Sequence, residues 1–162
     1  MALSPELATA LRRALSNRPE VAVAYVFGSR ARGDARPDSD VDIGLVFRSR
    51  GLAREQREQV TDDVVTEVGR ATGIERVDVV DLEEQGPIFC HRVLCEAERV
   101  YEADSARRVD FESDTIVRAL DFRPTYELAT HGKIAALRSW LRKQHDVRTA
   151  SIQARRTQGE RR

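Results

Sequence analysis

Asp40 and Asp42 flank a single valine in the stretch FGSRARGDARPDSDVDIGLVF, residues 27–47. Two carboxylates in an otherwise apolar run are costly to bury unless a positive charge neutralises them. Side chains alternate on an extended strand, so the pair projects to one face, about 6–7 Å apart at the backbone. Their tips can then close on one or two metal ions. Upstream, Gly28-Ser29 follows an apolar segment and precedes Arg30 and Arg32. A glycine there lets the backbone approach a phosphate closely. The amides that follow it open a short helix, whose N-terminus favours anions, and the two guanidiniums suit phosphate oxygens. Asp78, in Val77-Asp78-Val79-Val80-Asp81-Leu82, completes a cluster of three if its strand lies beside that of Asp42. Three such carboxylates repel one another and hold protons unless a dication neutralises them. Mg2+ fits, because it takes oxygen ligands and bridges carboxylates to nucleotide phosphates. No histidine joins the set, which excludes a zinc site. Asp81, three residues beyond Asp78, points to the opposite face of its strand and is left out.

The elements that must carry these residues are readable from periodicity. Ser4-Pro5 starts a helix that runs to about Asn17, with Leu7, Leu11, Ala14 and Leu15 on one face. Residues 21–27 are apolar throughout and bounded by Pro19 and Gly28, the pattern of a buried central strand. Residues 40–47 alternate, with Val41, Ile43, Leu45 and Phe47 on one side and Asp40, Asp42 and Gly44 on the other. A helix is predicted over 52–72 with Gly73 as its stop signal, a third strand over 77–82, a helix from Pro87 to about Cys95, and a short fourth strand over 99–103. Asp104-Ser105 caps a long helix through Leu120 that Pro124 is expected to break or kink. A helical pattern resumes over 126–143, where Trp140 with Leu137 and Leu141 reads as helix packing. Residues 148–162 are polar and aperiodic, a tail expected to be disordered or to serve as an interaction arm. The order of elements implies an α+β domain with a small sheet.

Composition narrows the function classes. The 162 residues carry 27 basic and 27 acidic side chains, so no basic excess points to direct nucleic-acid binding. No stretch is long and apolar enough to span a membrane. The N-terminal segment lacks a signal-peptide core, because Arg12 and Arg13 interrupt it. Cys90 and Cys95 have neither the number nor the partners for a disulfide scaffold or a metal framework, and are expected to be reduced thiols in the cytoplasm. His91 and His131 read as surface or satisfied histidines. The spacing of Arg138 and His145 is like a HEPN ribonuclease motif, but the chain is too short to hold that domain as well.

Gly28-Ser29, ten residues, then Asp40-Val41-Asp42 resembles the signature of the DNA polymerase-β-like nucleotidyltransferases. With ERVDVVDL (75–82), the chain is similar to the minimal nucleotidyltransferase (MNT) antitoxins that accompany HEPN-domain toxins, over about residues 5–125. That resemblance implies a small mixed sheet flanked by helices. It implies a core over 1–104, a helical extension over 105–147 and the tail over 148–162. It further implies Mg2+-dependent transfer of AMP from ATP to a tyrosine of a HEPN toxin, which silences it, and a possible hetero-oligomer with that toxin. Carried over by position, Gly28 and Ser29 hold the triphosphate and Arg30 and Arg32 its phosphates. Asp40 and Asp42 bind metal, and Asp78 binds a second metal and helps deprotonate the attacking hydroxyl. Two alternatives stay open. One is an antitoxin that works by sequestration without needing catalysis. The other is a small-molecule nucleotidyltransferase of the aminoglycoside-modifying kind, against which stands the lack of a substantial second domain.

Overall fold

The computed structural model describes residues 3–33, 35–36 and 39–159, with backbone only for 134–159. Two compact units are present, Met1–Leu120 and Asp121–Arg162. In the first, α1 (Pro5–Ser16) is capped by Ser4, whose Oγ accepts from the Leu7 amide at 3.3 Å. Strand β1 (Val21–Phe27) follows, then the short α2 (Gly28–Arg32), β2 (Val41–Phe47), α3 (Arg54–Thr72), β3 (Val77–Asp81), a 3-10 turn (Leu82–Glu84), α4 (Pro87–Glu96) and β4 (Glu98–Glu102). The sheet order is β3-β2-β1-β4, with β1 antiparallel to both neighbours and β2 parallel to β3. The fold is therefore α+β with a mixed sheet, as the residue pattern and the resemblance imply.

Both faces of the sheet are covered, which is why β1 is apolar along its whole length. On one face Leu7, Leu11 and Leu15 of α1 and Val60, Val64 and Val68 of α3 pack on Val41, Ile43, Leu45 and Phe47. On the other, Cys90 and Val93 of α4 and Phe111 meet Val23, Tyr25, Val46 and Leu82. Each fully buried Leu or Phe contributes about 1.5–3 kcal/mol. The second face also carries Asp42, Gly44 and Asp78. A Cβ on Gly44 would lie 2.8 Å from the Leu82 side chain, so Leu82 can cover the strand only because residue 44 has no side chain.

The last helix, α5, runs from Ser105 to Gly159. Asp104 caps it, its Oδ1 accepting from the Arg107 amide at 2.9 Å. The expected break at Pro124 does not occur. Proline there forfeits one hydrogen bond, to the Leu120 carbonyl, and the good helix formers Glu127, Leu128 and Ala129 carry the helix on. The helix also takes in 148–159, where Ala, Gln and Arg favour helix whatever the lack of an apolar period. Residues 160–162, and the side chains of Leu137, Arg138, Trp140, Leu141 and His145, lie outside the described residues. Among the described residues no helix is long and apolar enough to cross a membrane. Cys90 is buried and Cys95 exposed, and both are free thiols.

Candidate active site

The parallel ladder between β2 and β3 sets Asp42 directly opposite Asp78. Neighbouring strands lie about 4.8 Å apart, so the two carboxylates leave adjacent points of one sheet face. On the other side of β2, Asp42 is in register with Phe27, the residue before the Gly28 turn. Three chain segments thus converge at one end of the sheet. Gly28 has φ +73°, and a Cβ placed there would run into the Asp42 carboxylate, with Cγ 3.1 Å away. Only glycine lets the turn close this tightly over the aspartate. Phe27 is fixed from behind by Phe89 of α4, edge to face at 5.8 Å.

Asp42 is the electrostatic centre. Partial burial, then the charges of Asp78 and Asp40, push its pKa above the usual carboxylate range, while Arg32 opposes them. Like charges facing one another without neutralisation are what a hard divalent cation with oxygen ligands relieves, so the donor set fits Mg2+. The trio is not gathered to coordinate as it stands. Among the described residues no three acidic, histidine or cysteine side chains form a ready metal cluster. Asp40 is engaged by a cation of the chain, its Oδ1 sitting 2.8 Å from the Arg76 Nε. Ser29 follows Gly28 in an open cleft of about 460 Å³ that also exposes Asp40 and Asp42. Arg32, Arg36 and Arg76 bring positive charge to its wall, and the volume suits a nucleotide-sized ligand.

Arg30 departs from its expected place at the phosphates. Its Nη2 donates to the Ser39 carbonyl at 2.6 Å, and its Nε to the Ser39 and Asp40 carbonyls at 3.2 Å. It clamps the chain as it enters β2 and so presents Asp40. Arg32 remains at the cleft, with Nη1 3.3 Å from Glu96 Oε2.

A family model described as "Polymerase beta, Nucleotidyltransferase" matches residues 9–106, more than half of the chain. The chain belongs to that nucleotidyltransferase family. Gly28, Ser29, Asp40, Asp42 and Asp78 of this nucleotidyltransferase all fall inside the matched segment. Solved structures share the fold. A chain of a toxin–antitoxin complex with AMP-PNP is 20% identical, with TM-score 0.60, over 78% of this chain and 97% of the other. A chain from tri-AMPylated Shewanella oneidensis HEPN toxin in complex with MNT antitoxin is 18% identical, with TM-score 0.57, over 79% and 95%. A chain of the toxin–antitoxin MntA–HepT is 19% identical, with TM-score 0.55, over 79% and 96%. No curated protein matches the chain.

The nucleotidyltransferase also holds features that local sequence patterns do not announce. Asp81 is buried on the opposite side of β3, its Oδ2 2.6 Å from Arg57 Nη1. Arg76 owes its place to register alone, since Val41 faces Val77 and residues 40 and 76 precede them. The Gly28 turn yields a direct expectation. Gly28→Ala strains a left-handed backbone and displaces the Asp42 carboxylate. Nucleotidyl transfer is expected to fall about ten- to a hundredfold in steady-state assays, with a modest loss of Tm. Wild-type rates in a folded Gly28→Ala protein contradict this role.

Proposed function

We propose that the protein is a Mg2+-dependent adenylyltransferase that moves AMP from ATP onto a HEPN-domain toxin in the cytoplasm and so acts as its antitoxin. The observation that carries the chemistry is the register pairing of Asp42 with Asp78 beneath the Gly28 turn. The partner is supported by the structural relatives, which are toxin–antitoxin complexes, one with AMP-PNP and one with an AMPylated toxin. A protein acceptor is supported further by the exposed face of α5, where Val109, Ile116, Val117 and Leu120 stand in solvent. At 100° per residue they form one stripe, the kind of surface that meets a partner rather than a small molecule.

When bound, magnesium supplies charge neutralisation for the entering and leaving oxygens. The chain's own groups do the rest. The Gly28-Ser29 turn cradles the triphosphate, with the Ser29 hydroxyl and the following amides as donors, and Arg32 adds a guanidinium. Asp40 and Asp42 supply metal ligands. Asp78, on the edge strand opposite Asp42, would hold a second metal and takes the proton of the acceptor hydroxyl as that oxygen bonds to the α-phosphorus. The bond from that phosphorus to the bridging oxygen breaks in line, and pyrophosphate leaves with the electron pair. The protein's contribution is positioning and charge, with no covalent intermediate on the enzyme.

Incubation with Mg2+, labelled ATP and the product of the neighbouring gene as candidate toxin tests the proposal. Label on a toxin tyrosine, lost with Asp42→Asn, is the expected result. Full protection of cells by an Asp40→Ala/Asp42→Ala double variant, with no label on the toxin, contradicts it in favour of sequestration.

A further inference from the structure

Arg76 lies outside the Gly-Ser and Asp-x-Asp pattern, yet it reaches the heart of the cleft. Its Nε is 2.8 Å from Asp40 Oδ1, and both side chains are open to solvent, at 67% and 49% exposure. The pairing is imposed by the fold. The Val41 amide donates to the Arg76 carbonyl at 3.0 Å, extending the parallel ladder so that residues 40 and 76 face each other. Arg76 also lines the cleft shared by Gly28, Ser29 and Asp42. Exposed ion pairs of this kind are weak and readily exchanged.

We propose that Arg76 is a placeholder cation, which neutralises Asp40 until a divalent ion takes that carboxylate and is then released to the phosphates of the incoming nucleotide. The inference rests on the metal-dependent reading above. An arginine on a carboxylate competes with a divalent ion for the same oxygens, so it weakens metal binding to the nucleotide-free protein. Once displaced, the same guanidinium stands in a cleft whose ligand carries several negative charges, and it strengthens nucleotide binding. Arg30 cannot make this exchange, because two backbone carbonyls hold it. Arg76 thus acts in opposite directions on the two ligands, against the metal at Asp40 and for the nucleotide's phosphates.

The test uses the full chain as wild type, Arg76→Ala, Arg76→Gln, Arg76→Lys and Asp42→Asn. Mn2+ binding without nucleotide is followed by the paramagnetic resonance of the free ion, and binding of a non-hydrolysable ATP analogue in Mg2+ by calorimetry. In Arg76→Ala and Arg76→Gln, Mn2+ affinity is expected to rise about two- to fivefold and analogue affinity to fall at least about threefold. Arg76→Lys stays near wild type in both. Unchanged or weakened Mn2+ binding in folded Arg76→Ala, or shifts of the same sign for both ligands, overturns the proposal. The Asp42→Asn arm separates the two levels. If it loses Mn2+ while Arg76→Ala binds as wild type does, only the placeholder role falls. If it binds Mn2+ as wild type does, the metal site falls and the inference with it.

Discussion

Asp42→Asn is expected to lower AMP transfer at least about a hundredfold while its Tm stays equal to or above that of the wild type. The two outcomes share one cause. Burial and the neighbouring charges of Asp78 and Asp40 raise the pKa of Asp42, so its ionised form is held at a cost to the folded state. Asparagine keeps the shape, removes the charge and relieves that cost. The pH dependence follows from the sign. A carboxyl whose folded pKa exceeds its unfolded value binds protons more readily when folded, so the wild type gains stability from that proton as pH falls through the folded pKa. The Tm advantage of Asp42→Asn is therefore largest near pH 7 and shrinks on acidification. Thermal unfolding of both proteins across pH 4–8 checks it. A variant distinctly less stable than wild type at pH 7 places Asp42 in a structural role instead.

The second large effect concerns stability alone. Arg57 and Asp81 have side chains only 9% and 8% exposed, and all five guanidinium donors of Arg57 are used. Nη1 meets Asp81 at 2.6 Å and Glu83 at 3.4 Å, Nη2 the Ser49 and Arg50 carbonyls at 3.1 and 3.0 Å, and Nε the Leu52 carbonyl at 3.2 Å. The cation also stands 5.0 Å from the centroid of the Phe47 ring. Glu83 in turn pairs with Arg107, whose Nε donates to the Phe47 carbonyl at 3.0 Å. This network ties α3, the end of β2, the turn after β3 and the start of α5 together. Arg57→Met strands Asp81 as a buried charge and is expected to cost about 3–5 kcal/mol, a fall in Tm of about 6–20 °C for a chain of this size. Arg57→Met/Asp81→Asn recovers part of the loss, because no unpaired charge remains, and Asn keeps an oxygen for the Glu83 amide that Asp81 Oδ1 now caps at 2.9 Å. Asp81→Asn alone retains transfer activity in proportion to the folded protein. Urea unfolding with parallel activity assays reads all three. A single variant as stable as wild type contradicts the network.

The contrast between Asp78 and Asp81 shows what could be read from residues in order. Their separation of three puts them on opposite strand faces by period alone, and Asp42 and Asp78 need only adjacent strands to meet. Alternation likewise separated Val41, Ile43, Leu45 and Phe47 from the acidic side of β2. The partner of Asp81 was not legible, because Arg57 lies 24 residues away on a different element and looks like any charged residue on a helix. The backbone partners of Arg30 were not legible for a similar reason. Whether a guanidinium after Gly-Ser faces a ligand or the next loop depends on the path of residues 33–39, which no period describes. Arg76 enters the cleft through strand register, again invisible locally. The helix is not interrupted at Pro124: the local penalty is real, but flanking helix formers outweigh one lost hydrogen bond. Magnesium was read from the carboxylate cluster, the cytoplasm from cysteine usage and the toxin from the resemblance alone.

The central claim is that Asp40, Asp42 and Asp78 gather on divalent metal beneath a phosphate-binding turn. Anomalous diffraction at the manganese edge, from crystals grown with Mn2+ and a non-hydrolysable ATP analogue, tests it most directly. The account predicts a manganese peak about 2.1 Å from oxygens of Asp42 and Asp78, Asp40 turned away from Arg76, and the triphosphate against Gly28 and Ser29. Manganese and analogue bound elsewhere, with Asp40 still on Arg76, would contradict it.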